Sequence, residues 1–195
     1  PACAASAGTA GTWNLTSTAN THTYAEGDDL YLRDGVTVSG VQIKPELNGS
    51  ASDSAILGSY YSDTGDVGKP SGGAIINGNG VVPTSRYAGL VSFATKNYIT
   101  IQDLRILNSY GRGIDVTGGG TGYYVTRNYV QDSYENGMNF RNCLDEFEIS
   151  YNELRSTNES NSGASIQVVG SDSATPCAST TNGWVHHNTV IESQN

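Results

Sequence analysis

Basic residues are scarce in this chain of 195 residues. Ten Lys and Arg stand against 19 Asp and Glu, which gives a formal net charge of -9 at pH 7. A surface of this charge repels phosphate backbones and anionic lipid headgroups. We therefore expect no nucleic-acid partner and no binding to anionic membrane surfaces.

Long apolar segments are missing as well. The uninterrupted apolar stretches are only a few residues long, whereas a membrane-spanning helix needs about 20. Alanine clusters with Ser, Thr and Gly instead of recurring at the period of an amphipathic helix. These absences argue against membrane insertion and long helices, while the 24 Gly and 12 Tyr favour turns and strands.

Cysteines are few, and their spacing does not support a zinc or redox motif. Cys3, Cys143 and Cys177 form no Cys-x-x-Cys pair. Their number allows one disulfide and one further thiol. The chain opens with the small residues that surround signal-peptide cleavage sites. We interpret it as an already processed, secreted, extracellular chain.

An internal repeat with a period of 24 is the strongest pattern in the sequence. The segments that begin at Tyr98, Tyr123, Phe147 and Trp184 align with one another and share four columns. The columns are Ile101, Val125, Ile149 and Val185; Leu104, Asn128, Asn152 and Asn188; Ile106, Val130, Leu154 and Val190; and Ser109, Ser133, Thr157 and Ser193. Spacings in the first column are 24, 24 and 36, so the last interval holds a long insertion.

A second strand belongs to each repeat, and its apolar residues are spaced by two, as on one buried face. We align its inward residues as the column Leu90, Ile114, Met138 and Ile166. A unit this short cannot bury its apolar side alone, so successive repeats must stack as coils about 4.8 Å apart. The sequence therefore predicts an all-β solenoid with a buried ladder of Asn128, Asn152 and Asn188.

Several segments resemble a known family. YITIQDLRILNSYGRGIDV, YYVTRNYVQDSYENGMNF and FEISYNELRS resemble coils of the pectate-lyase-like right-handed parallel β-helix superfamily. YAEGDDLYLRDGVTVSGVQI, AILGSYYSDTGDVGKP and AIINGNG are similar to the opening coils of its extracellular polysaccharide-degrading members. The resemblance spans residues 24–195 and implies a right-handed parallel β-helix. It implies little about the reaction, because this superfamily hosts lyases, hydrolases, epimerases, tailspikes and adhesins.

We expect a single β-helix domain over residues 1–195. A cap or lead-in occupies 1–23, irregular opening coils 24–89 and regular coils 90–195. The last coil carries no segment that would cover its apolar layer, so its C-terminal end is expected to be open. An open end is a template for another chain. Head-to-tail self-association is therefore one predicted partner interaction.

The resemblance also implies where a substrate would bind: along the outer face of the strand that contains Ile114, Met138 and Ile166. The residues expected on this face or beside it are Val91, Asp115, Asn139, Gln167, Arg141, Arg112 and Glu135. Arg112, Asn139 and Gln167 are the predicted substrate-binding residues. The substrate class implied is a polysaccharide.

Asp115, Arg141 and Glu135 are the candidate catalytic residues. In a uronate lyase, Asp115 would hold Ca²⁺, and Arg141 would act as base or carboxylate clamp. In a hydrolase, Asp115 and Glu135 would form the carboxyl pair, but the Gly-His-Gly turn of similar polygalacturonases is absent. A noncatalytic interpretation makes Asp115 and Arg141 an exposed ion pair of small energetic value.

The remaining signals concern the substrate and the cysteines. A net charge of -9 repels a polyuronate, so either Ca²⁺ participates or the glycan is neutral. Tyr110, Tyr123, Tyr134 and Tyr151 fall near turns where a sugar could stack on a ring, although strand packing is the commoner role of such residues. Cys143 and Cys177 occupy corresponding corners of neighbouring coils, which predicts a disulfide between them.

Two functions follow from these patterns. The first is a secreted carbohydrate-active protein, either a polysaccharide lyase-like enzyme or a glycan binder. The alternative is a noncatalytic structural, adhesive or filament-forming β-helix that stacks end to end.

Overall fold

The structure is a computed structural model that describes residues 19–60, 72–157, 160, 163–170 and 181–192. Most of the predicted lead-in lies outside these ranges, and so does Ser193. Within them the chain is almost entirely β-structure. The strands are β1 (Leu30–Arg33), β2 (Thr37–Ser39), β3 (Ala55–Tyr60), β4 (Ala74–Asn77), β5 (Gly89–Ala94), β6 (Ile99–Gln102), β7 (Leu104–Ser109), β8 (Arg112–Thr117), β9 (Gly120–Thr126), β10 (Tyr129–Ser133), β11 (Met138–Arg141), β12 (Leu144–Ser150), β13 (Glu153–Thr157), β14 (Ile166–Val169), β15 (Thr181–His186) and β16 (Thr189–Ile191). No helix in the described ranges is long and apolar enough to cross a membrane.

The strands form three parallel sheets. Sheet A has the order β1-β3-β6-β9-β12-β15, sheet B the order β2-β4-β7-β10-β13-β16, and sheet C the order β5-β8-β11-β14. Consecutive strands of the chain lie in different sheets, and the neighbours within one sheet come from successive passes of the chain. This is the architecture of a parallel β-helix, and the predicted all-β fold class is confirmed.

The predicted columns correspond to the observed pairing of strands. Val125 pairs with both Ile101 and Ile149, and its coil is therefore in register with the coils on either side. The next interval is longer in the sequence, yet Ile149 still pairs with Val185 of the same column. The register of sheet A therefore continues across this interval.

One backbone feature recurs in every regular coil, both between the strands and within them. Residues with positive φ recur at equivalent positions of successive coils, and a single residue of left-handed conformation redirects the chain within one step. The recurring positions are Tyr98, Gly122, Glu146 and Asn182; Asp103, Arg127, Tyr151 and His187; and Asn108, Asp132 and Ser156. Most of them are not glycine, so the stacking of the coils rather than local sequence imposes the conformation.

The asparagine ladder follows one of these positions. The Oδ1 atom of Asn152 accepts hydrogen bonds from the backbone N–H of Asn128 at 2.9 Å and from its Nδ2 at 3.1 Å. Oδ1 of Asn188 accepts the same pair of bonds from Asn152, each at 3.0 Å. Asn128 and Asn152 are buried as predicted, whereas Asn188 is only half-buried because it lies in the last described coil.

One predicted column is wrong by a single residue. Val91, not Leu90, pairs with Ile114, and Ser92 pairs with Asp115. Val91 is 0 % exposed and belongs to the core, so the prediction that it lies on the outer face is incorrect. The step from β5 to β8 is one residue shorter than the step from β8 to β11. A shift of one residue exchanges the two faces of a strand.

Candidate functional site

A row of polar residues crosses the outer face of sheet C, with one residue from each strand. Ser92, Asp115, Asn139 and Gln167 pair in sequence across β5, β8, β11 and β14. Their chain neighbours alternate with them and pack inward, as Ile114 and Val116 do around Asp115. The structure thus brings together three of the predicted site residues in the predicted order, with Ser92 in the place expected for Val91.

Asp115 and Asn139 are buried, although they lie on the outer face. They are 4 % and 0 % exposed. The guanidinium of Arg112 donates from Nη1 to Asp115 Oδ1 at 3.0 Å, and Asn139 Nδ2 donates to the same oxygen at 2.6 Å. A further bond from Arg112 Nη1 to the carbonyl of Tyr87, at 2.7 Å, holds the guanidinium in place. The predicted exposed pair of Asp115 with Arg141 is therefore replaced by a buried pair with Arg112.

Burial governs the protonation of this pair. It raises the pKa of Asp115 above its ordinary value, and the charges and hydrogen bonds of Arg112 and Asn139 oppose that rise. Burial likewise lowers the pKa of Arg112, while Asp115 raises it and the like charge of Arg141 lowers it further. Each charge is thus retained mainly through the other.

Arg141 lies at the end of β11, where its side chain is partly exposed. Its charge acts on both Asp115 and Arg112. In the described part of the chain, no hydrogen-bond partner meets the buried Nε of Arg141, the buried Nε of Arg112 or the Oδ1 of Asn139. Two donors and one acceptor near one carboxylate are therefore both buried and unpaired among the described residues. We call Arg112, Asp115, Asn139 and Arg141 the Asp115 cluster.

Glu135 lies before β11 and is held by a different arginine. Its Oε1 is 3.1 Å from Nε of Arg86, and the Glu135 side chain is 5 % exposed. Arg86 also lies over the ring of Tyr87, 4.6 Å from its centroid. The electrostatic effect of Glu135 reaches Arg112. Both predicted catalytic carboxylates are thus engaged by arginines.

Gln167 is half-buried. Its Oε1 accepts a hydrogen bond from Nδ2 of Asn136 at 3.3 Å, and the same Nδ2 bonds the carbonyl of Ala164 at 3.1 Å. Asn136 ties the turn before β11 to β14 in the next coil. Gln167 therefore supports the edge of the face and remains accessible from one side.

Arg86, Tyr87 and Asn136 were missed by the sequence analysis. Arg86 and Tyr87 lie in the irregular segment before β5, which has no counterpart in the later repeats, so no column could reveal them. Asn136 falls in a turn that varies from coil to coil. Tyr110 and Tyr134, which occupy equivalent positions of adjacent coils, were identified, and their rings stack with centroids 5.6 Å apart.

The predicted Ca²⁺ site at Asp115 stays a prediction, and the hydrogen bonds of Asp115 bear on it. Ca²⁺ takes about six to eight oxygen ligands, whereas Oδ1 of Asp115 already accepts bonds from Arg112 and Asn139. A guanidinium at this distance competes directly with a cation. No group of three or more His, Cys, Asp or Glu among the described residues could hold a metal ion.

Cys143 lies directly before β12 at a turn of positive φ, next to Asn142. It is disulfide-bonded. Cys3 and Cys177 lie outside the described residues, so the pairing of Cys143 with Cys177 stays a prediction.

Comparison with known proteins supports the fold. No protein-family model matches the chain, and no curated protein sequence matches it either. Among solved structures, the chain is similar to an alginate lyase from Paenibacillus sp. str. FPU-7, with a TM-score of 0.58 and 22% sequence identity. The similarity covers 90% of this chain and 54% of the lyase chain, so the chain spans about half the length of that protein.

Proposed function

We propose that this protein is a polysaccharide lyase-like protein that binds an acidic glycan on the outer face of sheet C. The observation that carries the proposal is the Asp115 cluster, in which Arg112 pairs with the Asp115 carboxylate and the partly exposed Arg141 adds a second positive charge close enough to act on both. The similarity in fold to an alginate lyase supports the same substrate class.

The charge of the cluster suits a uronate. Two guanidinium groups and one carboxylate leave a local excess of one positive charge in a protein of net charge -9. Glu135 does not change this balance, because Arg86 pairs with it. Guanidinium binds carboxylate through charge-assisted hydrogen bonds and does so with defined geometry. A sugar carboxylate is therefore the ligand group that this cluster accepts best.

We assign different roles to the four residues. Arg141 is partly exposed, so it contacts the sugar carboxylate. Asp115, Arg112 and Asn139 lie beneath it and act as positioning residues, because their mutual bonds fix the charges near Arg141. In β-elimination, neutralising the carboxylate acidifies the neighbouring C–H. A base takes that proton, the electron pair of the C–H bond forms the C=C bond, and the glycosidic C–O bond breaks as its oxygen leaves and is protonated. Arg141 performs the neutralising part.

The proposal is tested by incubating the protein with alginate, polygalacturonate and hyaluronan while recording ultraviolet absorbance of unsaturated sugar ends. We expect one substrate to give product and Arg141→Ala to lower the rate by about 100-fold. Arg105→Ala is the matched control, because Arg105 lies on sheet B. Equal rates for the two variants would exclude Arg141 as the carboxylate-binding residue.

End-to-end self-association is a second candidate function, and exposed core positions favour it. Val185 and Val190 pair with the buried Ile149 and Leu154, yet they are 49% and 47% exposed. A coil of a second copy stacked there would bury both side chains. Light scattering at increasing concentration should then show assemblies that Val190→Lys removes. A monomer at every concentration would contradict this candidate.

A further inference from the structure

The outer face of sheet A carries a row of side chains that the Asp115 cluster does not use. Glu148 pairs with Tyr124 on one side and with Trp184 on the other, across β9, β12 and β15. The alternate residues, such as Val125 and Ile149, are buried in the core. Trp184 is 71% exposed and Tyr124 is 43% exposed. Tyr123, the neighbour of Tyr124 that was predicted as a sugar-stacking residue, is buried instead.

Aromatic rings continue from this row onto the neighbouring turn. Tyr151 is exposed, and its ring stacks on that of His187 with centroids 5.0 Å apart and an interplanar angle of 12°. The ring of His186 meets Tyr151 edge-on at 5.9 Å and Trp184 at 6.4 Å. We call Tyr124, Glu148, Tyr151, Trp184, His186 and His187 the aromatic strip. A contiguous exposed strip of this kind is typical of a binding surface.

The charges of the aromatic strip differ from those of the Asp115 cluster. Glu148 carries its carboxylate, which accepts a bond from Ser150 Oγ at 2.7 Å and lies 3.3 Å from His186 Nε2. The strip contains no Lys or Arg, and the nearby Arg127 is bound to Asp103 through two bonds of 2.8 Å. The carboxylate of a uronate would be repelled by the carboxylate of Glu148, whereas a neutral sugar would not be repelled.

We propose that the aromatic strip is a second glycan-binding site, which takes a neutral polysaccharide chain of unsubstituted hexoses. Sugar rings have an apolar face and a rim of hydroxyl groups, which suits exposed aromatic rings beside hydrogen-bonding groups. Tyr124 and Trp184 lie two strands apart, about 9.6 Å. A glycan that runs along the axis of the β-helix contacts both rings, and the hydroxyls between them reach Glu148.

The test is a calorimetric titration with cellohexaose and with mannohexaose. We expect one of them to bind the wild-type protein and Trp184→Ala to weaken that binding by about tenfold or more. Trp184→Phe retains an aromatic ring and should restore part of the affinity. Tyr129→Ala is the matched control, because Tyr129 lies on sheet B away from the strip, and it should bind like the wild type.

Two results would overturn the proposal: no binding of either hexasaccharide, or equal affinities for Trp184→Ala and Tyr129→Ala. Both probes lack carboxylates, so the titration does not depend on uronate binding at Arg141. If the lyase proposal failed, binding of a neutral hexasaccharide at the aromatic strip would still stand. If neither hexasaccharide bound, the lyase proposal would be unaffected.

Discussion

At the scale of single residues, the fold depends on asparagines that bond to the coils on both sides. Oδ1 of Asn152 accepts from the backbone of Asn128, and its Nδ2 donates to the carbonyl of Val125 at 2.8 Å. Its Nδ2 also donates to Oδ1 of Asn188 in the next coil at 3.0 Å. A side chain that satisfies two buried backbone groups of the preceding coil cannot be removed without leaving them unpaired. The ladder was predictable because it recurs in the sequence at the same position.

Asn152→Ala should therefore lower the free energy of unfolding by about 1–3 kcal/mol. Asn188→Ala is the comparison variant, since Asn188 is half-buried and water can replace part of its bonding. We expect a smaller loss there. Chemical denaturation of both variants measures the difference, and equal losses would argue against burial as the cause.

A second residue-scale prediction concerns pH. Because burial raises the pKa of folded Asp115 above 3.8, the folded state holds this proton more tightly than the unfolded state. The resulting stability is fully present below pH 3.8 and is lost as pH rises through the folded pKa. Asp115→Asn does not titrate at this position. Its stability relative to wild type should therefore rise from acidic to neutral pH, as measured by denaturation across that range. A pH-independent difference would contradict the direction of the shift.

At the scale of strands, the sequence predicted the register of the regular coils correctly and the register of β5 incorrectly. From β6 to β12 the chain returns to the same position of each coil after a constant interval, so the columns define which side chains face inward. The step into β8 is shorter by one residue. The segment ahead of β5 has no repeat with which it could be aligned. Because this segment has no second copy, the sequence placed Leu90 in the inward column, where the structure has Val91.

The register of β5 can be tested with one conservative change at each of two neighbouring positions. Val91→Thr puts a hydroxyl into the core and should lower the free energy of unfolding by about 1–3 kcal/mol. Ser92→Thr lies on the outer face and should change it by less than about 0.5 kcal/mol. Thermal or chemical denaturation compares them. A larger loss for Ser92→Thr than for Val91→Thr would support the register predicted from the sequence, in which Leu90 faces inward.

The pairing inside the Asp115 cluster shows a second limit of sequence reasoning. The repeat places Asp115 and Asn139 side by side, which the structure confirms. It does not show which arginine reaches the carboxylate, because Arg112 and Arg141 both lie within a few residues of the column. The carbonyl of Tyr87 accepts a hydrogen bond from Arg112 and so holds its guanidinium beside Asp115. Tyr87 belongs to a segment outside the repeat. Arg141 is thereby left to face the solvent.

At the scale of the whole molecule, the protein is strongly acidic yet carries a local excess of positive charge on sheet C. A net charge of -9 repels a polyuronate at long range, and about 0.15 M salt screens that repulsion beyond roughly 8 Å. The proposed contact of the sugar carboxylate with Arg141 is shorter than this distance. Binding of an acidic glycan is thus compatible with the net charge at moderate ionic strength.

The most direct test of the proposed site is calorimetric titration of the protein with acidic oligosaccharides at moderate salt. Hexasaccharides prepared from alginate and from polygalacturonate serve as ligands for the wild type, Arg141→Ala and Arg105→Ala. We predict that one of them binds the wild type and Arg105→Ala with equal affinity, and that Arg141→Ala binds it at least about tenfold more weakly. Unchanged binding by Arg141→Ala, or no binding of either ligand to the wild type, would contradict an acidic-glycan site on sheet C.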